Sequence, residues 1–187
     1  MDIATNAPGA AARALLRDAC RGIHACLDQR LSQIDFNDRA AYADMLTRMS
    51  GPVTAIEGAL TAGVAPVLFT NWSGRLRAHA LRSDVALLGG DFREHSAPAI
   101  ENEAEAFGTL YVLEGSRLGG QVLARIAQES RDERVREATR YFQHGARKGL
   151  WRDFLERLEQ SPAVSADPKR ATHAALSAFA TFQGAFA

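Results

Sequence analysis

The sequence predicts an all-α protein, and three observations carry that reading. Apolar residues recur at three- and four-residue steps over most of the chain. No stretch alternates apolar and polar residues as a half-buried strand does, and Gly and Pro fall between the periodic stretches. At 187 residues the chain suits one domain with a core large enough to stand without disulfides. The expected organisation is a flexible tail over residues 1–9 and a single domain over residues 10–187.

The tail is small and polar, with Pro8 and Gly9 at its end. Leu15, Leu16, Ala19, Ile23, Leu27, Leu31 and Ile34 then predict a long amphipathic first helix that ends before Asn37. Asn37-Asp38 supplies a cap for a second helix, Arg39 to Ser50, with Tyr42, Met45, Leu46 and Met49 on its apolar side. Gly51-Pro52 is expected to break it before a further helix through Ile56 and Leu60. Gly63 to Asn71 reads as a connector, Trp72 to Leu88 as a helix stopped by Gly89-Gly90, and Asp91 to Pro98 as a loop.

Glu101, Glu103 and Glu105 place negative charge at the start of the next helix, which runs to about Gln128. Arg131 to Phe142, Gly149 to Leu158 and Pro168 to Phe186 complete the set, with Ser161-Pro162 ending the second of these.

Composition narrows the classes of partner. Lys+Arg and Asp+Glu are both 22, without a long run of either sign, which argues against nucleic acid. No apolar run approaches the roughly 20 residues that a membrane span needs. Cys20 and Cys26, the only cysteines, are six apart on different faces of one helix and do not pair readily. Without a basic and apolar leader, they give the expectation of a reducing cytoplasm.

Two stretches carry candidate chemistry. In Gly108-Thr-Leu-Tyr-Val-Leu-Glu-Gly-Ser-Arg-Leu-Gly-Gly-Gln-Val-Leu123 the pattern is that of a buried helix, yet Gly115, Gly119 and Gly120 each cost roughly 1 kcal/mol relative to Ala. Gly115 and Gly119 share a face, where a partner can reach the main chain. Close helix packing and a flat ligand on a kinked helix both satisfy that spacing. Ser116 reads as a serine bonding its own backbone rather than as a nucleophile.

The second stretch is on the first helix, where Arg17, Arg21 and His24 lie on one face and Asp28 continues the line. A metal held by the imidazole, in a ligand whose carboxylates meet the arginines, fits that spacing; so does a core-edge histidine beside two solvated arginines. His79, His95, His144 and His173 lack such company and read as surface or capping residues. There is no Glu-x-x-His pair, Cys-x-x-Cys, phosphate loop or Gly-x-Ser-x-Gly.

His24 followed by Leu27-Asp28, together with Leu110-Tyr-Val-Leu-Glu-Gly-Ser-Arg-Leu-Gly-Gly120, resembles the heme oxygenase family. The likeness is greatest to the bacterial branch that makes biliverdin for bacteriophytochromes, and it runs from about Leu15 to Phe182. It implies heme b between a proximal helix and a kinked distal helix. His24 would be the axial iron ligand, and Gly115 and Gly119 the distal glycines, with Gly120 beside them. Arg17, Arg21, Lys148 and Arg152 would hold the propionates; solvated charges on a surface helix are the other reading of the last two.

In mammalian-type enzymes an aspartate that organises distal water follows the first glycine; here Ser116 stands there, which leaves Arg117 or another residue to share that task. The implied reaction is O2-dependent cleavage of heme to biliverdin, CO and ferrous iron, with electrons from a ferredoxin or a reductase. A bacteriophytochrome is the implied recipient of the product. A heme carrier or sensor without turnover, and a cofactor-free helical interaction protein, are the alternatives.

Overall fold

The computed structural model describes residues 8–146 and 148–187, with side chains from Ala12 onward. The first seven residues of the expected tail lie outside the described residues, and Pro8 and Gly9 already belong to the first helix. Among the described residues ten α-helices follow in order: α1 (Pro8–Leu31), α2 (Arg39–Ala62), α3 (Ala65–Leu68), α4 (Ala78–Leu87), α5 (Glu103–Gln128), α6 (Glu133–Glu137), α7 (Arg140–Gln143), α8 (Leu150–Gln160), α9 (Pro162–Ala166) and α10 (Pro168–Ala185). The fold is all-α, and no strand occurs among the described residues.

α5 is the central element. It packs most extensively on α10, which in turn carries α1; α7 wedges between α4 and α5, and α8 bridges α1 and α5. Phe107, Leu110, Leu113 and Ala124 of α5 are buried in one core with Phe154 of α8 and Ala171, Ala175 and Phe179 of α10. Each buried Leu or Phe contributes about 1.5–3 kcal/mol relative to exposure. The α5–α10 approach demands Gly108, because a Cβ there would stand 2.0 Å from the carbonyl oxygen of Ala171.

α2 runs unbroken through Gly51-Pro52, against expectation. Gly51, Pro52 and Val53 are all buried, so tertiary packing holds the helix across the lost backbone donor. Nearby carbonyls gain hydroxyl donors: Ser50 Oγ donates to Thr47 O at 2.5 Å and Thr54 Oγ1 to Ser50 O at 2.9 Å.

The stretch Trp72 to Leu88 is not one helix but a 3₁₀ turn, Trp72–Gly74, followed by α4. Glu57 sets the start of α4 by accepting from the amides of Arg77 (2.9 Å) and Ala78 (3.1 Å). The expected Arg131–Phe142 helix is likewise divided at Ala138-Thr139, where Tyr42 donates to Ala138 O at 2.7 Å and Asp84 accepts from Tyr141 N at 2.8 Å. Ser161-Pro162 ends α8 as expected and also starts α9, with Ser161 Oγ accepting from Val164 N at 3.2 Å. Among the described residues no helix is long and apolar enough to cross a membrane, and both cysteines are free.

Candidate active site

α1 presents His24 to a pocket of about 340 Å³ that Arg17, Cys20, Arg21, Tyr111 and Phe179 also line. His24 Nδ1 stands 2.8 Å from Asp28 Oδ2, one turn further on, and the ring meets Phe179 edge-on at 5.6 Å. A carboxylate at Nδ1 selects the tautomer with its proton there and leaves the Nε2 lone pair for a metal. Burial pushes the Cys20 thiol up to about 11, so it stays protonated and a poor ligand beside the imidazole. Arg17 and Arg21 are largely exposed and share Asp18 at 3.2 and 2.6 Å, which holds that carboxyl below its usual range.

On α5, Tyr111, Gly115, Leu118, Gly119, Val122 and Ile126 recur at three- and four-residue steps and share one face. Leu118, Val122 and Ile126 are 50%, 53% and 45% exposed. A Cβ on Gly119 would meet no heavy atom within 4 Å, and one on Gly115 would meet only the ring of Trp151, at 3.6 Å. Two glycines and three exposed aliphatic side chains therefore form a flat apolar surface.

Gly120 and Ser116 point elsewhere. A Cβ on Gly120 would stand 3.3 Å from Cδ1 of Phe142 on α7, so close packing accounts for this glycine as it does for Gly108. Ser116 Oγ donates to Leu113 O at 2.8 Å and accepts from the Arg77 guanidinium. Lys148 and Arg152 are exposed; they flank Trp151 and do not line the His24 pocket.

A buried charge cluster backs α5. Glu114 lies 3.2 Å from Arg75 and takes a bidentate contact from Arg117 at 2.8 and 2.9 Å. Arg117 also donates to Arg75 O at 2.7 Å and His144 O at 3.0 Å. Arg77 donates to Leu113 O at 2.7 Å and lies 4.7 Å over the Tyr141 ring. Each guanidinium is thus turned to the interior, and Arg117 faces Glu114 instead of the glycine face.

His144 belongs to this cluster. Burial and then Arg117 push it down to about 4, so its ring is neutral and Nδ1, 3.3 Å from Arg117 Nη1, acts as an acceptor. Sequence reasoning missed Arg75, Arg77, Glu114 and His144. The available signal was a Glu and an Arg three residues apart, at Glu114 and Arg117, within an otherwise apolar helix.

A family model described as heme oxygenase matches residues 10–187 of the chain. A heme oxygenase of Xanthomonas campestris pv. campestris (strain 8004) is 34% identical over 134 residues, which span 70% of this chain and 81% of that protein.

Proposed function

The chain belongs to the heme oxygenase family, and from that premise we propose that it cleaves heme to biliverdin, CO and ferrous iron between the His24 helix and the Gly115–Gly119 face. It is a heme-degrading enzyme, and heme is its substrate. The observation that supports the assignment of the site is the pairing of an oriented imidazole on α1 with an apolar face on α5 that holds Gly115 and Gly119. The donor set suits heme, since the Asp28 contact at Nδ1 leaves Nε2 of His24 free, and the exposed cations of Arg17, Arg21, Lys148 and Arg152 suit carboxylates.

When bound, heme supplies both the iron at which O2 is reduced and the ring carbon that is oxidised. The residues of the chain do the rest. Asp28 accepts at Nδ1 of His24 and would orient the imidazole so that Nε2 could hold the iron. Gly115 and Gly119, which carry no Cβ, would leave room for O2 and for backbone dipoles beside a bound heme. The exposed aliphatic side chains of Leu118 and Val122 would shield a bound heme from water.

Ser116 acts indirectly. Its hydroxyl is engaged by Leu113 O and Arg77, so it would fix the backbone before Gly119 and leave proton donation at the open face to water. Electrons come from an external donor of the ferredoxin or reductase type, and a bacteriophytochrome is the proposed recipient of the product.

The test adds one equivalent of hemin to the protein, then a reductant in air with catalase present. Loss of the Soret band with growth of broad red absorption supports the reading. A Soret band that persists under these conditions moves the protein to heme carriage or sensing, and absence of the band removes heme from the site.

A further inference from the structure

We propose that Trp151 is a specificity-determining residue, whose indole walls one edge of the heme and fixes its in-plane rotation. The inference rests on the reading of the Gly115–Gly119 face as the heme side.

The covering of that face is uneven. Indole atoms Cη2 and Cζ3 lie 3.6 Å from the Cβ position of Gly115, while one turn on, at Gly119, no atom lies within 4 Å. A planar ligand on α5 has free run over Gly119 and Val122 and meets the indole toward Gly115. Trp151 is backed by fully buried Phe154, stacked at 5.4 Å and 21°, and leans on Tyr111 at 5.7 Å. Tyr111 also lines the pocket that holds His24, so the aromatic pair reaches from the proximal side to the first distal glycine.

The wall is tied to the surface that it borders. Arg75, buried, donates to Leu150 O at 3.3 Å and pairs with Asp153, the residues on either side of the Trp151–Arg152 pair. The same guanidinium lies 3.2 Å from Glu114, which immediately precedes Gly115. One side chain therefore fixes the distance from the indole to the glycine face. Lys148 and Arg152 cannot set a rotation with the same precision, because each carries about 2 kcal/mol of rotamer entropy on a flexible stem. A rigid indole excludes the wrong seatings sterically.

The proton NMR spectrum of the ferric cyanide complex reports the seating through its shifted heme methyl signals. The native chain and Trp151→Phe are expected to give one dominant methyl set; in Trp151→Ala the minor set rises several-fold and the ratio of biliverdin isomers moves with it. A second measurement does not depend on whether Trp151→Ala folds. In the native chain loaded with gallium(III) protoporphyrin, nuclear Overhauser contacts are expected from the Trp151 indole to substituents at the porphyrin edge. Trp72 is the only other indole, so Trp151→Phe assigns the signals.

Bound heme with unchanged methyl sets in Trp151→Ala, or a bound porphyrin without contacts to the indole, overturns the inference and leaves the heme site standing. A native chain that gives no Soret band overturns both.

Discussion

A methyl group added to Gly119 would meet no atom within 4 Å, whereas one added to its neighbour Gly120 would stand 3.3 Å from Cδ1 of Phe142. The two glycines answer to different forces. Gly119→Ala is expected to stabilise the protein measured without hemin by about 0.5–1 kcal/mol through helix propensity, and to weaken hemin binding by crowding the ring. Gly120→Ala presses on Phe142 and is expected to lower stability. Denaturant unfolding of both variants, with hemin titrations, checks the opposite signs.

Asp28 is expected to act on the iron through His24. Asp28→Ala removes the acceptor at Nδ1 without touching the ligand, and should lower heme affinity or turnover by roughly 10–100-fold. A hemin titration of Asp28→Ala beside Asp28→Glu checks this; restoration by Glu supports the contact, and an unchanged affinity in Asp28→Ala removes it.

Glu114 is the shared partner of two buried guanidinium groups. Glu114→Ala leaves Arg117 buried without a carboxylate and Arg75 with Asp153 alone, which is expected to cost about 3–5 kcal/mol. For a chain of this size that lowers the melting temperature on the order of 10 °C. A melt within a few degrees of the native protein contradicts the account of the cluster.

Two buried groups give opposing pH dependences. Burial raises Asp84 from 3.8 to about 6, so the folded state binds this proton more tightly and stability falls as pH rises from 3.8 to 6. His144 is lowered from 6.5 to about 4, so the folded state binds its proton less tightly and stability falls as pH drops from 6.5 to 4. Between about pH 4 and 6 the two slopes offset each other in the native protein. Asp84→Asn is expected to expose the His144 slope and become more acid-labile, and thermal melts from pH 4 to 8 check the sign.

The helices around the site were legible because their apolar spacing is regular. α5 was readable almost to its ends, and its two open glycines were visible from their four-residue step. What spacing did not reveal is which glycines are open and which are closely packed. Gly108 and Gly120 meet Ala171 and Phe142, contacts that only the packed fold supplies.

The breaks were the least legible. Pro52 suggested an end to α2 that burial overrides, and nothing local foretold that Glu57, Tyr42 and Asp84 would set helix boundaries by long-range hydrogen bonds. His24 stood out through its charged neighbours on one face. Arg75 and Arg77 have no acidic partner close in the sequence to mark them, and their burial follows from partners as far away as Glu114 and Glu57.

The most direct test of the central claim is the resonance Raman spectrum of the ferrous heme complex in the native protein and in His24→Ala. The account predicts an iron–histidine stretching band in the native protein that is absent from His24→Ala and returns on adding free imidazole. The same band in both proteins would contradict it, because another residue would then hold the iron.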